Sequence, residues 1–127
     1  MNKEITKLNT NVLDFPVYNQ TLDQLDLNKQ LVINTINQYS FIVTKKDRDF
    51  RTALMKSDVL LPDGGGIVLA SQLLSGKKIK KIAGADLHQH LLEKVNREKG
   101  RCFYLGSSET TLRKIEERIK KEYPFIQ

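Results

Sequence analysis

Residues 59–74, VLLPDGGGIVLASQLL, set one acid, Asp63, and three glycines between two apolar runs. The first run is apolar without alternation, the pattern of a strand covered on both faces. In the second, Ile67, Ala70, Leu73 and Leu74 recur at helical spacing, and Gly76 supplies a stop. Strand, glycine turn and helix in that order form part of a βαβ unit. They set Asp63 at the carboxyl end of the strand, where open α/β sheets bind their ligands.

The flanks extend this pattern. Upstream, KLNTNVLDFPVYNQTL mixes β-favouring residues with Asn, Asp and Pro and predicts a short strand or hairpin before Thr21. Thr21 and Gln24 form a T-x-x-Q capping box for a short helix, and QLVINT (30–35) reads as a buried strand. NQYSFIVTKKD and DRDFRTALMKS predict two helices, the second capped by Asp47 with Phe50 and Leu54 on its inner face. Downstream of the basic loop KKIKKIAG, Asp86 opens a helix with a Leu87, Leu91, Val95 stripe that Gly100 ends. RCFYLG then predicts a strand, and Ser107 or Ser108 caps a last helix with Leu112, Ile115 and Ile119 facing inward. On its outer face Glu116 with Lys120 and Glu117 with Lys121 make favourably oriented pairs, and YPFIQ reads as the start of a further strand. Strands alternating with helices predict an α/β fold: a Rossmann-like, mostly parallel sheet with helices on both faces.

Composition narrows the classes. At 127 residues the chain suffices for one domain with a real core, and its 39% hydrophobic and 28% charged content argues against disorder. The N-terminus lacks the apolar core of a signal peptide, and no run approaches the roughly 18 apolar residues of a membrane helix, so a soluble, cytoplasmic chain is expected. The single cysteine, Cys102, lies in the apolar run CFYL, which points to a buried thiol and excludes an intrachain disulfide. Net charge is +6: residues 1–76 hold eight basic and eight acidic residues, and residues 77–127 hold thirteen and seven. A basic half suits phosphorylated ligands, anionic lipid or nucleic acid. Nucleic acid ranks last, because aromatic content is 7% without a stacking motif.

Three loops are expected at the carboxyl edge of the sheet: Thr35-Ile36-Asn37, Asp63-Gly64-Gly65-Gly66 and Gly106-Ser107-Ser108. Glycines after a strand let a ligand approach the backbone, and the next helix N-terminus offers N–H groups and positive potential to phosphate. The pattern matches neither G-x-G-x-x-G nor the P-loop. Asp63 is on pattern alone as readily a turn residue as a general base, whereas Thr35 and Asn37 in isolation read as helix caps before ligand contacts. His88 and His90 stand two apart and face different ways, so they form no i,i+4 metal pair. Lys77, Lys78, Lys80 and Lys81 read as a solvated loop next to a candidate anion site. No nucleophilic triad, metal site or cofactor is indicated.

Together, NTINQYSFIVTKKD, ALMKSDVLLPDGGGIVLA, KKIAGADL and FYLGSSETTLRKIEERIKKEYP resemble the WecG/TagA/CpsF glycosyltransferase family from about residue 12 to 127. The resemblance implies transfer of an N-acetylmannosamine-type sugar from a UDP-sugar donor to undecaprenyl-diphosphate-linked N-acetylglucosamine, with inversion and without a catalytic metal. Such enzymes build teichoic acid, capsule or related cell-envelope polymers. The family's LPDG aspartate carries over to Asp63, and its TPN motif to Thr35 and Asn37, with Ile36 in place of the proline. Gly64, Gly65, Gly66, Gly106 and Ser107 join them as expected substrate contacts. A family arginine before GxDL falls on Lys81, which keeps the charge but loses the bidentate fork that suits phosphate.

The resemblance also implies a peripheral position at the inner face of the bacterial plasma membrane and a tendency to form homo-oligomers. Relatives carry a further C-terminal segment, so residues 1–127 are expected to be the N-terminal portion of a single glycosyltransferase domain. That portion alone is expected to expose an apolar sheet edge and to fold poorly or self-associate. The competing expectation is a non-catalytic module that binds a UDP-sugar or a partner.

Overall fold

The structure, a computed structural model, describes residues 9–127. Its elements are β1 (Asn9–Val12), β2 (Phe15–Tyr18), one 3₁₀ turn (Leu22–Gln24), β3 (Ile33–Ile36), α1 (Gln38–Thr44), α2 (Arg48–Met55), β4 (Val59–Pro62), α3 (Gly65–Ser75), α4 (Gly84–Arg97) and α5 (Glu109–Glu122). They fall into two compact units, one ending at Gly84 and the other comprising Ala85–Gln127. The chain is mixed α/β. An antiparallel pair, β1 with β2, accompanies a parallel pair, β3 with β4, consistent with part of a Rossmann-like sheet.

In the first unit β4 is the central element. All four of its residues are buried, which explains why its sequence does not alternate. It pairs with β3 in the register Ile33 to Val59 through Ile36 to Pro62, and β2 packs beside it. Pro62 lacks an N–H and stands at the last strand position, where Asp63 N–H takes over the ladder by donating to Ile36 C=O at 2.9 Å. At the other end the Asp58 carboxylate accepts from Val32 N–H at 2.8 Å and anchors the entry to β3. Phe15, Val17, Ile36, Leu54, Leu60 and Ile67 meet in one core, and burying side chains of this size stabilises by roughly 1.5–3 kcal/mol each.

Local chemistry shapes the connections. The β1–β2 turn needs positive φ at both central residues, Leu13 (50°) and Asp14 (69°), and Asn11 Oδ1 supports it by accepting from Asp14 N–H. Leu13 offsets its unfavourable backbone by packing on the core. The expected helix after Thr21 is only one 3₁₀ turn, although the box is present: Gln24 Oε1 accepts from Thr21 N–H at 3.0 Å. Asn37 caps α1 and Asp47 caps α2, each accepting from the third residue on at 2.8 Å.

Several expectations shift. The strand over 30–35 lies at Ile33–Ile36 and only Ile36 is buried, because pairing starts opposite Val59 and β3 has β4 on one side only among the described residues. Val32 stays 57% exposed. On α3 the inner face is Ile67 with Ser71, whereas Leu73 and Leu74 are exposed. Leu73 stands six residues from Ile67, about 120° round the helix, and Leu74 lies on the last turn.

In the second unit α4 starts at Gly84 rather than at Asp86 and buries Leu92. The predicted strand RCFYLG is extended but unpaired, since its unit provides two helices and no strand partner among the described residues. The period of two is nonetheless there: Cys102 and Tyr104 are half-buried, Phe103 and Leu105 exposed. Cys102 is therefore not the fully buried thiol that its apolar run suggests. Ser108 caps α5 by accepting from Thr111 N–H, and the Glu116–Lys120 pair forms. YPFIQ turns back instead of forming a strand, with Phe125 N–H donating to Asn96 Oδ1 and Gln127 N–H to Gly100 C=O, both at 2.9 Å.

Tyr18 is fully buried, and its hydroxyl donates to Thr21 C=O at 3.0 Å. Burial raises its pKa above the usual value near 10, so its stabilising contribution is complete below pH 10 and is lost as pH rises through the higher folded value. Tyr18→Phe should cost about 1 kcal/mol near neutrality through the lost hydrogen bond and flatten the loss of stability above pH 10. Urea midpoints followed from pH 8 upward check both, and an unchanged alkaline slope would show that another group governs it.

Candidate functional site: the carboxyl edge of the β3–β4 pair

The site begins with Asp63, the first residue beyond β4. Its backbone is held by the bond to Ile36 C=O, yet its half-exposed carboxylate has no hydrogen-bond or ion-pair partner among the described residues. A fixed backbone carrying an unengaged carboxylate is the arrangement a proton acceptor needs.

Two other strand-end segments come to the same place. Asn37 follows β3 directly and uses Oδ1 to cap α1, leaving its Nδ2 amide as a donor. Ser40 Oγ accepts from Asn37 N–H at 2.8 Å, which fixes the Asn37 backbone reciprocally. Across the gap, Gly64 takes φ 111° and ψ 148°, a region open essentially to glycine alone. A Cβ there would come within 3.0 Å of Gln38 Oε1 and 3.5 Å of Asn37 Cβ. The Asp63–Gly66 turn and the Asn37–Gln38 segment thus lie against each other.

The third segment is the lysine loop. Ile82 N–H donates to Pro62 C=O at 2.9 Å, on β4's backbone, and Gly84 reaches the methyl of Thr35, 3.8 Å from where its own Cβ would stand. Lys81 is exposed immediately before this contact. Thr35, Asn37 and the Asp63–Gly66 turn therefore lie together, with the backbone after Lys81 bonded to the end of β4. Gly106 (φ 101°) and Ser107 (φ 70°) lie in the second unit, in the exposed turn that leads into α5.

Electrostatically the site faces anions. No side chain caps α3, so the amides of its first turn, opening with Gly65 and Gly66, point out uncapped at the positive end of the helix dipole. Lys77, Lys78, Lys80 and Lys81 follow this helix, all exposed. No three His, Cys, Asp or Glu side chains gather as a metal-binding group among the described residues, and none of their helices is long and apolar enough to cross a membrane. Sequence reasoning passed over Gln38, whose side chain lies over Gly64 and Gly66. Its place directly after Asn37, at the first position of a capped helix, was the available signal.

In the second unit His88 is exposed, with its Nε2 hydrogen-bonded to Tyr104 Oη at 2.5 Å and the rings edge to face. The contact ties α4 to the segment 101–105. Burial, with smaller effects from Cys102 and Tyr123, raises the Tyr104 pKa above its ordinary value.

An α/β carboxyl edge with an unengaged aspartate, an uncapped glycine-led helix and an adjoining basic loop suits an anionic ligand. Residues 4–127 match the Glycosyl transferase WecG/TagA/CpsF family, and the chain belongs to that family. It is 32% identical over 123 residues to the N-acetylglucosaminyldiphosphoundecaprenol N-acetyl-beta-D-mannosaminyltransferase of Bacillus subtilis, across 97% of this chain and 48% of that protein. A protein of the same name from Bacillus spizizenii is 33% identical over 103 residues, across 81% of this chain and 40% of its own length. The chain thus spans about half the length of the curated relatives it matches.

Two of the glycines at the head of α3 differ in what a side chain would meet. Gly64→Ala should lower stability by about 1–3 kcal/mol, since alanine avoids that backbone region and its Cβ meets Gln38. Gly65→Ala, whose Cβ would meet nothing, should change stability by no more than about 0.5 kcal/mol. Equal thermal shifts in the two variants would contradict this account of the turn.

Proposed function

We propose that the chain is the donor-side portion of an inverting, metal-independent glycosyltransferase. It moves an N-acetylmannosamine-type sugar from a UDP donor to polyprenyl-diphosphate-linked N-acetylglucosamine. The observation that carries this reading is the unengaged Asp63 carboxylate beside the uncapped N-terminus of α3. The names of the two Bacillus relatives supply the acceptor and the sugar.

On this reading an acceptor hydroxyl oxygen attacks the anomeric carbon of the donor sugar while Asp63 takes the hydroxyl proton. The bond from that carbon to the diphosphate oxygen breaks, and UDP leaves. A single displacement inverts the anomeric centre. Charge growing on the diphosphate is met by the Gly64, Gly65 and Gly66 amides and the dipole of α3, with Lys81 adding a point charge. Asn37, through Nδ2, and Thr35, through its hydroxyl, orient sugar hydroxyls. Residues 1–127 would form the N-terminal portion of one catalytic domain working at the inner face of the plasma membrane, where a lipid-linked acceptor resides.

The test is UDP release from UDP-N-acetylmannosamine with a short-chain lipid-diphosphate N-acetylglucosamine acceptor. Asp63→Asn, nearly isosteric, should lower acceptor-dependent release by about 10²–10⁴-fold with an unchanged melting midpoint. Wild-type turnover in that variant would remove the base assignment. UDP binding without release in the parent chain would support the binding-module reading instead.

A further inference from the structure

Between Asp63 and Asp86 the sequence carries four lysines and no carboxylate. The loop that holds them is well anchored: Ile79 and Ile82 are each 6% exposed, and Ser71 Oγ donates to Lys77 C=O at 2.9 Å, folding the loop back on α3. Lys77, Lys78 and Lys80 face solvent, and none makes an ion pair among the described residues. Just before them Leu69 and Leu73, one turn apart on the same side of α3, are 57% and 73% exposed, and Leu74 is 71% exposed. A single exposed leucine needs no explanation, but three over residues 69–74 beside an acid-free lysine cluster do.

We propose that the last two turns of α3 and the following lysine loop form a docking surface for an anionic lipid bilayer. Leu69, Leu73 and Leu74 enter the boundary between headgroups and acyl chains, and Lys77, Lys78 and Lys80 meet headgroup phosphates. Exposed apolar side chains beside a lysine cluster combine the two contributions to peripheral binding, buried apolar area and attraction to anionic lipid. A second copy of this chain is a poorer occupant, because a two-fold contact would set the same lysines against each other. Nucleic acid fits less well too, since residues 64–85 include neither an aromatic platform nor an arginine. The inference assigns a surface to the membrane contact that a lipid-linked acceptor requires. It rests on the transferase reading only for its biological use, since vesicle binding is measured without turnover.

Co-sedimentation of the full chain with vesicles of mixed phosphatidylglycerol and phosphatidylcholine, against phosphatidylcholine alone, tests it. Binding should require the anionic lipid and weaken with salt. Replacing Lys77, Lys78 and Lys80 by Gln should reduce partitioning about a hundredfold, roughly fivefold per lysine. The equally charged control with Lys46, Lys56 and Lys114 replaced by Gln should retain most of it. Leu73→Ser with Leu74→Ser should cost about tenfold or more with an unchanged melting midpoint. Equal losses in the two lysine triples, or equal binding to neutral vesicles, would overturn the proposal. So would leucine substitutions that dissociate an oligomer in sedimentation velocity without touching vesicle binding, which would assign the leucines to a second copy. Loss of vesicle binding in a variant that still turns over a soluble short-chain acceptor would separate this surface from the catalytic reading.

Discussion

The parallel pairing of β3 with β4 is the constraint on which the candidate site depends. Its register sets Ile36 opposite Pro62, and the next ladder bond, Asp63 N–H to Ile36 C=O, brings the residues after both strands to one edge. A slip of one residue would turn every side chain of β3 to the opposite face and carry Thr35 and Asn37 away from Asp63. The buried run Val59–Pro62 makes such a slip costly, because each of its side chains already has a place in the core.

On that frame the glycine turn works by what it omits. Gly64 occupies a backbone region that side chains avoid, and Gly66 leaves room for Gln38, whose Cβ would lie 3.1 Å from a Cβ at position 66. The same absence leaves the first turn of α3 without a side-chain cap, so its amides remain available to an anion. The acid and the positive helix end stand next to each other, which is the opposition that the proposed proton acceptor and departing diphosphate would use.

The second unit shows a different balance. Its α5 surface is charged but largely self-paired through Glu109–Arg113, Glu116–Lys120 and Arg118–Glu122, with the Glu116 pKa lowered by Lys120 and the Arg118 pKa raised by Glu122. These exposed pairs respond to salt and contribute little to stability. Of the excess of six basic residues over 77–127, four are therefore the lysines of the loop that precedes α4. In the lysine loop of the first unit four positive charges gather without an acid between Asp63 and Asp86.

The order of elements from β3 to α3, the caps at Asn37, Asp47 and Ser108, the stop at Gly76 and the place of Asp63 after a buried strand were legible in the sequence. Each depends on neighbours within a few residues: a polar side chain reaching an amide three positions on, a glycine at positive φ, or an apolar run with no alternation. Family motifs added the expectation of a role for Asp63 that no local rule distinguishes from a turn. Contacts between distant segments were decided only in three dimensions. Ile82 reaching Pro62, Gln38 lying over Gly64, Ser71 rather than Leu73 facing the core, and RCFYLG staying unpaired all follow from which surface meets which. Periodicity states which residues share a face; it does not state whether a partner covers that face, because the covering atoms come from elsewhere in the chain.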